Sequence, residues 1–243
     1  MSSTAIQQGS RKRKAEEQPN MQSKQQRVNE SETSVSKMWL PRFNSTQNHR
    51  RRLNNKRRLD DSHINAFQQL IPQAIASQGW QDVAVGRISY EYSPPPSVQI
   101  LHDGSGHWLV SAATSDGVII ADSLKTSPNA FTRQRLLELY IKPGDQQAQL
   151  DITYISVQKQ QGVTQCGDFA IAFAAAFASR QSVQTISQLR FDQDNMRSHM
   201  IKCLTTATFS QFPTSKHHPS LFDTTLQQPN KYRIDKNNCA RCT

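Results

Sequence analysis

Three residue types in this 243-residue chain could together perform nucleophilic acyl transfer: a cysteine, a histidine and an aspartate. Cys166-Gly167 opens the most apolar helix-like run, Phe169 to Ala178, directly after the polar loop from Lys159 to Gln165. In the first turn of a buried helix, backbone N–H groups and the macrodipole favour an anion, here a thiolate. His107 and Asp122 lie at the ends of Val- and Ile-rich segments that are broken at Ser115-Asp116-Gly117, a tight-turn signal between strands. Their midpoint falls between Thr114 and Ser115, so antiparallel pairing brings both to one end of a single hairpin. If that end faces Cys166, the three residues are a nucleophile, a base and an orienter of the base.

The elements that must position them can be read from periodicity. Asp60 or Asp61 caps a helix with Ile64, Phe67, Leu70 and Ile71 on its apolar side, and Pro72 bends or ends it. Val83-x-Val85 and Ile88-x-Tyr90-x-Tyr92 are short alternating segments that stop at Pro94-Pro95-Pro96. The first core strand then runs from Val98 to His102. Ser127 caps a helix with Pro128 at its first position, and Leu136, Leu137 and Tyr140 form its stripe. Leu150 to Val157 alternates as a strand and leads into the Gln-rich loop. Ser182 to Thr208 is helical, with Ile186, Leu189, Met196, Met200, Cys203 and Leu204 as core.

At His107-Trp108, Asp122-Ser123, Gln160-Gln161 and Cys166-Gly167, in that order, the sequence resembles the Ulp1-like cysteine proteases of the SUMO/NEDD8-isopeptidase and adenovirus-protease clan. Leu59-Asp60-Asp61-Ser62-His63-Ile64 is similar to the family's opening helix motif. The resemblance runs from Leu59 to Phe212 and is strong in 98–178. The segment Phe191-Asp192-Gln193 through Phe212-Pro213 is most similar to versions spread by transposable elements in animal genomes. The resemblance implies an α+β, papain-like fold with a central antiparallel sheet and the nucleophile at the start of a buried helix. It also implies hydrolysis of a peptide or isopeptide bond without metal or cofactor, the substrate being a protein such as a ubiquitin-like modifier conjugate. By the resemblance His107, Asp122 and Cys166 are catalytic, and Gln160 gives the side-chain amide for the oxyanion, with Gln161 and Gln165 as alternatives. Trp108, Gln161 and Gly167 are then substrate contacts. Where the family usually has a tryptophan walling the tunnel for a diglycine tail, this chain has Arg58. That departure favours a rival expectation, a catalytically silent protease-fold binding module that the basic tail directs to chromatin or element DNA.

Charge and composition set the domain boundaries. Residues 1–58 carry 14 Lys and Arg against 4 Asp and Glu, the whole of the +10 net charge, while 15 of each leave 59–243 neutral. The first 58 residues are poor in large apolar side chains and read as a disordered basic tail. Within it, Arg11-Lys12-Arg13-Lys14 and the arginine cluster from Arg50 to Arg58 are candidates for nuclear import and for nucleic-acid contact. Trp39-Leu40-Pro41-Arg42-Phe43 is a docking peptide or a stray apolar cluster. The protease domain is expected over 59–212, followed by a flexible tail at 213–243. That tail ends in Cys239-Ala240-Arg241-Cys242, half of a zinc-site spacing and readable as the start of a truncated zinc module. No apolar run reaches the roughly 18 residues of a membrane span. Four unevenly spaced cysteines suit a reducing interior, so nucleus or else cytoplasm is the expected location.

Overall fold

Residues 37–71, 80–145, 148–215 and 228–235 are described by the computed structural model. In chain order the elements are β1 (Met38–Leu40), β2 (Ser45–Thr46), α1 (Gln47–Asn54), α2 (Asp61–Leu70), β3 (Ser97–His102), β4 (Trp108–Thr114) and β5 (Gly117–Ala121). There follow α3 (Ala130–Tyr140), β6 (Gln149–Tyr154), α4 (Cys166–Ala178), α5 (Val183–Gln188), α6 (Met196–Thr206) and β7 (Asn230–Asp235).

The helix that begins at Cys166 organises the rest, because every one of its residues is buried. A helix apolar on all faces must be wrapped by other elements. Its alanines allow β3 and β4 to approach closely on one flank. Phe169 and Phe173, one turn apart, join Phe191 and Phe212 in an aromatic cluster on another flank. β3 to β7 form one sheet in sequence order. On β4, Trp108, Val110 and Ala112 share a core with α4, while Leu109 and Ala113 share a second core with Leu136, Leu137 and Leu139 of α3. The sheet is therefore sandwiched between α4 and α3, which requires period-2 alternation of buried residues on both faces.

Several expectations are corrected. The sheet is mixed, not antiparallel throughout: β5 and β6 pair in parallel, because the connection through α3 crosses over before β6 enters. Packed structure begins by β1, well before Arg58. Phe43 and Leu53 are buried, and Trp39 and Leu40 pack against the same core, so the apolar cluster docks within its own chain. The sparse apolar residues of this stretch suffice because α1 needs to bury only one side, leaving its arginines outward. The expected flexible carboxy-terminal tail contains β7, whose Ile234 is buried and whose Tyr232 packs edge-on against Tyr154. Segment 83–92 makes a single 3-10 turn, Val85–Arg87, and no strand. Helix α3 starts two residues after Pro128, with Asn129 as the cap accepting from Thr132 N–H. Arg11 to Lys14, Pro72, Cys239 and Cys242 lie outside the described residues. Among the described residues no group of three or more metal-binding side chains forms, and no helix is long and apolar enough to cross a membrane.

Candidate active site

His107 and Asp122 meet as the hairpin argument requires, with a small change of register. Thr114 lies opposite Gly117, so Ser115 and Asp116 form the turn and the symmetry point lies one residue beyond the expected one. Both side chains still emerge at the same end, and His107 Nε2 donates to Asp122 Oδ1 at 2.7 Å. The same oxygen accepts the backbone N–H groups of Leu124 at 2.8 Å and Lys125 at 2.9 Å, which fixes the carboxylate against the loop that follows β5.

Cys166 lies close enough to the same imidazole to favour its protonated form. With Nε2 committed to Asp122, Nδ1 is the nitrogen left to face the sulfur. All three are nearly closed off from solvent, at 3% exposure for Cys166, 5% for His107 and 2% for Asp122. Burial opposes a charged imidazole, but the hydrogen bond to Asp122, the nearby thiol and the charges behind them outweigh it, pushing His107 from 6.5 up to about 9. Both neighbours therefore favour the protonated form of the imidazole.

Gln160 is anchored for a polar task. Its backbone N–H donates to Ser123 C=O at 3.0 Å, and Ser123 Oγ donates to its Oε1 at 2.8 Å. Its Nε2 donates one hydrogen to Gly162 C=O at 2.7 Å. Gln161 is exposed, and its backbone is held on both sides by Gln193. Gln165 is the residue preceding α4, with a buried Oε1 that finds no partner among the described residues.

Trp108 and Gly167 are buried in the wall of the site. Trp108 is 2% exposed, donates from Nε1 to Leu59 C=O at 3.2 Å, and is covered by His102 edge-on and by the Arg87 guanidinium. Gly167 is glycine because Leu59 presses on it: a Cβ there would come within 2.9 Å of Leu59 Cδ1. The Leu-Asp motif thus wedges between the histidine strand and the cysteine helix.

Two residues of the site, Asp103 and Arg197, escaped sequence reasoning, and the reach of Arg58 could not be read from it. Buried Asp103 accepts from Ser105 N–H, Ser105 Oγ and His107 N–H, and pairs with Lys125. Burial would raise its carboxyl, but these donors hold it well below the usual carboxylate range. The signal was Asp103-Gly104-Ser105-Gly106, an aspartate-nucleated turn just before the histidine. Arg197 of α6 pairs with Asp168 at 2.6 Å and donates to Thr164 C=O, holding the loop just ahead of Cys166. Arg58 donates from Nε to Val163 C=O at 3.1 Å and from Nη1 to Gly106 C=O at 3.5 Å, joining the two loops that carry the catalytic candidates.

No protein-family model and no curated relative matches the sequence. The fold, helices packed on a mixed sheet, is of the α+β class. Within that class it is the Ulp1 protease fold. The SUMO protease Ulp1 with its catalytic cysteine oxidised to a sulfinic acid is similar over 79% of this chain and 97% of that one, at 12% identity and a TM-score of 0.52. The sulfenic-acid form gives 13% identity over the same shares and a TM-score of 0.51.

Proposed function

We propose that the chain is a cysteine peptidase of the ubiquitin-like-protease class that hydrolyses a peptide or isopeptide bond in a protein substrate. One observation carries the reading: a single imidazole, raised to about 9, bonded on one side to a fixed carboxylate and close on the other to a thiol at a helix start. In this mechanism Cys166 Sγ attacks the scissile carbonyl as thiolate and forms a C–S bond. The oxyanion is held by the free Gln160 Nε2 hydrogen and the Cys166 backbone N–H, an arrangement worth roughly 2.7–4 kcal/mol per donor in related chemistry. His107 passes its proton to the leaving amine as the C–N bond breaks, then accepts one from the water that hydrolyses the thioester. Asp122 keeps the proton on Nε2 in the neutral tautomer, so Nδ1 does the transfer.

The similar structures are of a SUMO protease, which makes a SUMO-type modifier the first substrate to try. The test is turnover, by the full chain, of SUMO, NEDD8 and ubiquitin bearing a carboxy-terminal fluorogenic amide. At least one should be cleaved and Cys166→Ser should abolish the signal; no cleavage, with Cys166 no more reactive than Cys203, overturns the reading. A second reading, a silent binding module, draws on Arg58 bridging the cleft. It predicts modifier binding undiminished by Cys166→Ala, without turnover by the unaltered chain. The basic runs at 11–14 and 50–58 would deliver either protein to the nucleus and to nucleic acid; cytoplasmic retention of the tagged full chain would contradict that assignment.

A further inference from the structure

We infer that Arg58 sets the specificity of the cleft, by pairing with an acidic side chain of the substrate close to the scissile bond. The inference rests on the peptidase reading above and adds a substrate class to it. The backbone that leaves this residue is pinned: Arg52 donates to its carbonyl at 3.0 Å, and Trp108 donates to the carbonyl of Leu59 at 3.2 Å. Its side chain is thereby aimed across the site. The guanidinium touches Gly106, the neighbour of His107, and Val163, which lies between Gln160 and Cys166. A chain segment laid between the histidine and the cysteine passes this group.

Most charges around the cleft are already matched; Arg58 and Lys159, which donates only to the carbonyls of Asp122 and Lys125, are the exceptions. Asp60 pairs with Arg52, Asp61 with Arg87, Asp103 with Lys125, Asp122 with His107, and Asp168 with Arg197. Arg58 is exposed, and its contacts are neutral carbonyls; among the described residues no carboxylate pairs with it. A guanidinium offers five N–H donors in a planar fork matched to a carboxylate, so it can grip an anion without giving up the whole of its brace. An asparagine in the substrate offers a hydrogen bond without the charge, and a lysine is repelled.

The experiment uses the full chain and internally quenched octapeptides in which one position at a time carries Asp, Asn or Lys. The wild type should cleave the Asp peptide over its Lys counterpart by on the order of tenfold in kcat/KM at one or more positions. The preference should shrink as salt is added. Arg58→Glu should reverse it, and Arg58→Gln should level it while the melting temperature stays that of the wild type. The same peptides are also titrated onto Cys166→Ala by fluorescence anisotropy, with and without Arg58→Glu. An Asp-to-Lys ratio unchanged by Arg58→Glu overturns the inference, as does an equal loss for all peptides in Arg58→Gln, which marks a brace alone. If the wild type cleaves no peptide, the modifier amides above decide the peptidase reading separately. The anisotropy then decides alone: Arg58-dependent discrimination sustains the inference, and its absence overturns it.

Discussion

Replacing Asp122 by asparagine removes a charge and leaves the shape almost intact. Oδ1 of this residue accepts His107 Nε2–H and two backbone N–H groups, and an asparagine oxygen can accept the same three. What disappears is the negative charge that, with Cys166, holds His107 at about 9 against a burial effect that would carry it below 6.5. The interval from 6.5 to about 9 corresponds to roughly 3 kcal/mol favouring the imidazolium, shared between carboxylate and thiol. The sign follows directly. His107 is raised in the folded protein, so its stabilisation is fully present below 6.5 and is lost as pH rises through about 9. In Asp122→Asn the carboxylate's share is lost, the thiol's remains, and that slope weakens. The alkaline limb of kcat/KM should move down from near 9 toward 6.5, and activity at neutral pH should fall roughly 10²–10⁴-fold. The assay is kcat/KM across both values, paired with urea unfolding on either side of them. An alkaline limb that does not move would refute the reasoning, because it would mean that the ring owes its charge to something other than this carboxylate.

Further outcomes follow from the packing around the site. Gly167→Ala should cost about 1–3 kcal/mol by thermal unfolding, and Leu59→Ala should recover part of it in the double variant, since the clash is with Leu59 Cδ1. Asp103→Asn should lower kcat more than KM and cost about 1–3 kcal/mol. Because this carboxyl is depressed in the folded state, its contribution is present above 3.8 and lost as pH falls below it, so the penalty measured by unfolding should shrink in acid. Asp168 is raised to about 6 by burial despite its 2.6 Å contact with Arg197, so desolvation outweighs the pairing. Asp168 Oδ1 and Arg197 Nη1 also lack partners among the described residues. Arg197→Met alone should cost roughly 3–5 kcal/mol, and adding Asp168→Leu should restore much of it; additive losses would contradict the desolvation argument.

The catalytic candidates were legible because each sits beside a strong local signal. Ser115-Asp116-Gly117 forced the hairpin, and the apolar run after Cys166 forced the helix. The register slipped by one residue because turn type, which a midpoint ignores, selects the two-residue loop. β7 was hidden because only Tyr232 and Ile234 face the protein, between Lys231 and Arg233, so its pattern is short and its charge suggested a tail. α1 was hidden for a similar reason: arginines fill its solvent side, and Leu53 alone on that helix is fully buried. The parallel β5–β6 pairing leaves no trace in strand periodicity, since it is decided by how α3 crosses the sheet. Arg58 was visible as a departure from the family pattern, but its reach to Gly106 and Val163 is a matter of tertiary structure.

The most direct measurement is site-resolved alkylation of the full chain by iodoacetamide as a function of pH, comparing the wild type with His107→Ala. At neutral pH Cys166 should be alkylated faster than Cys203, with that advantage lost in His107→Ala. A Cys166 rate no faster than that of Cys203, and the same in both proteins, would contradict the pairing of sulfur and imidazole.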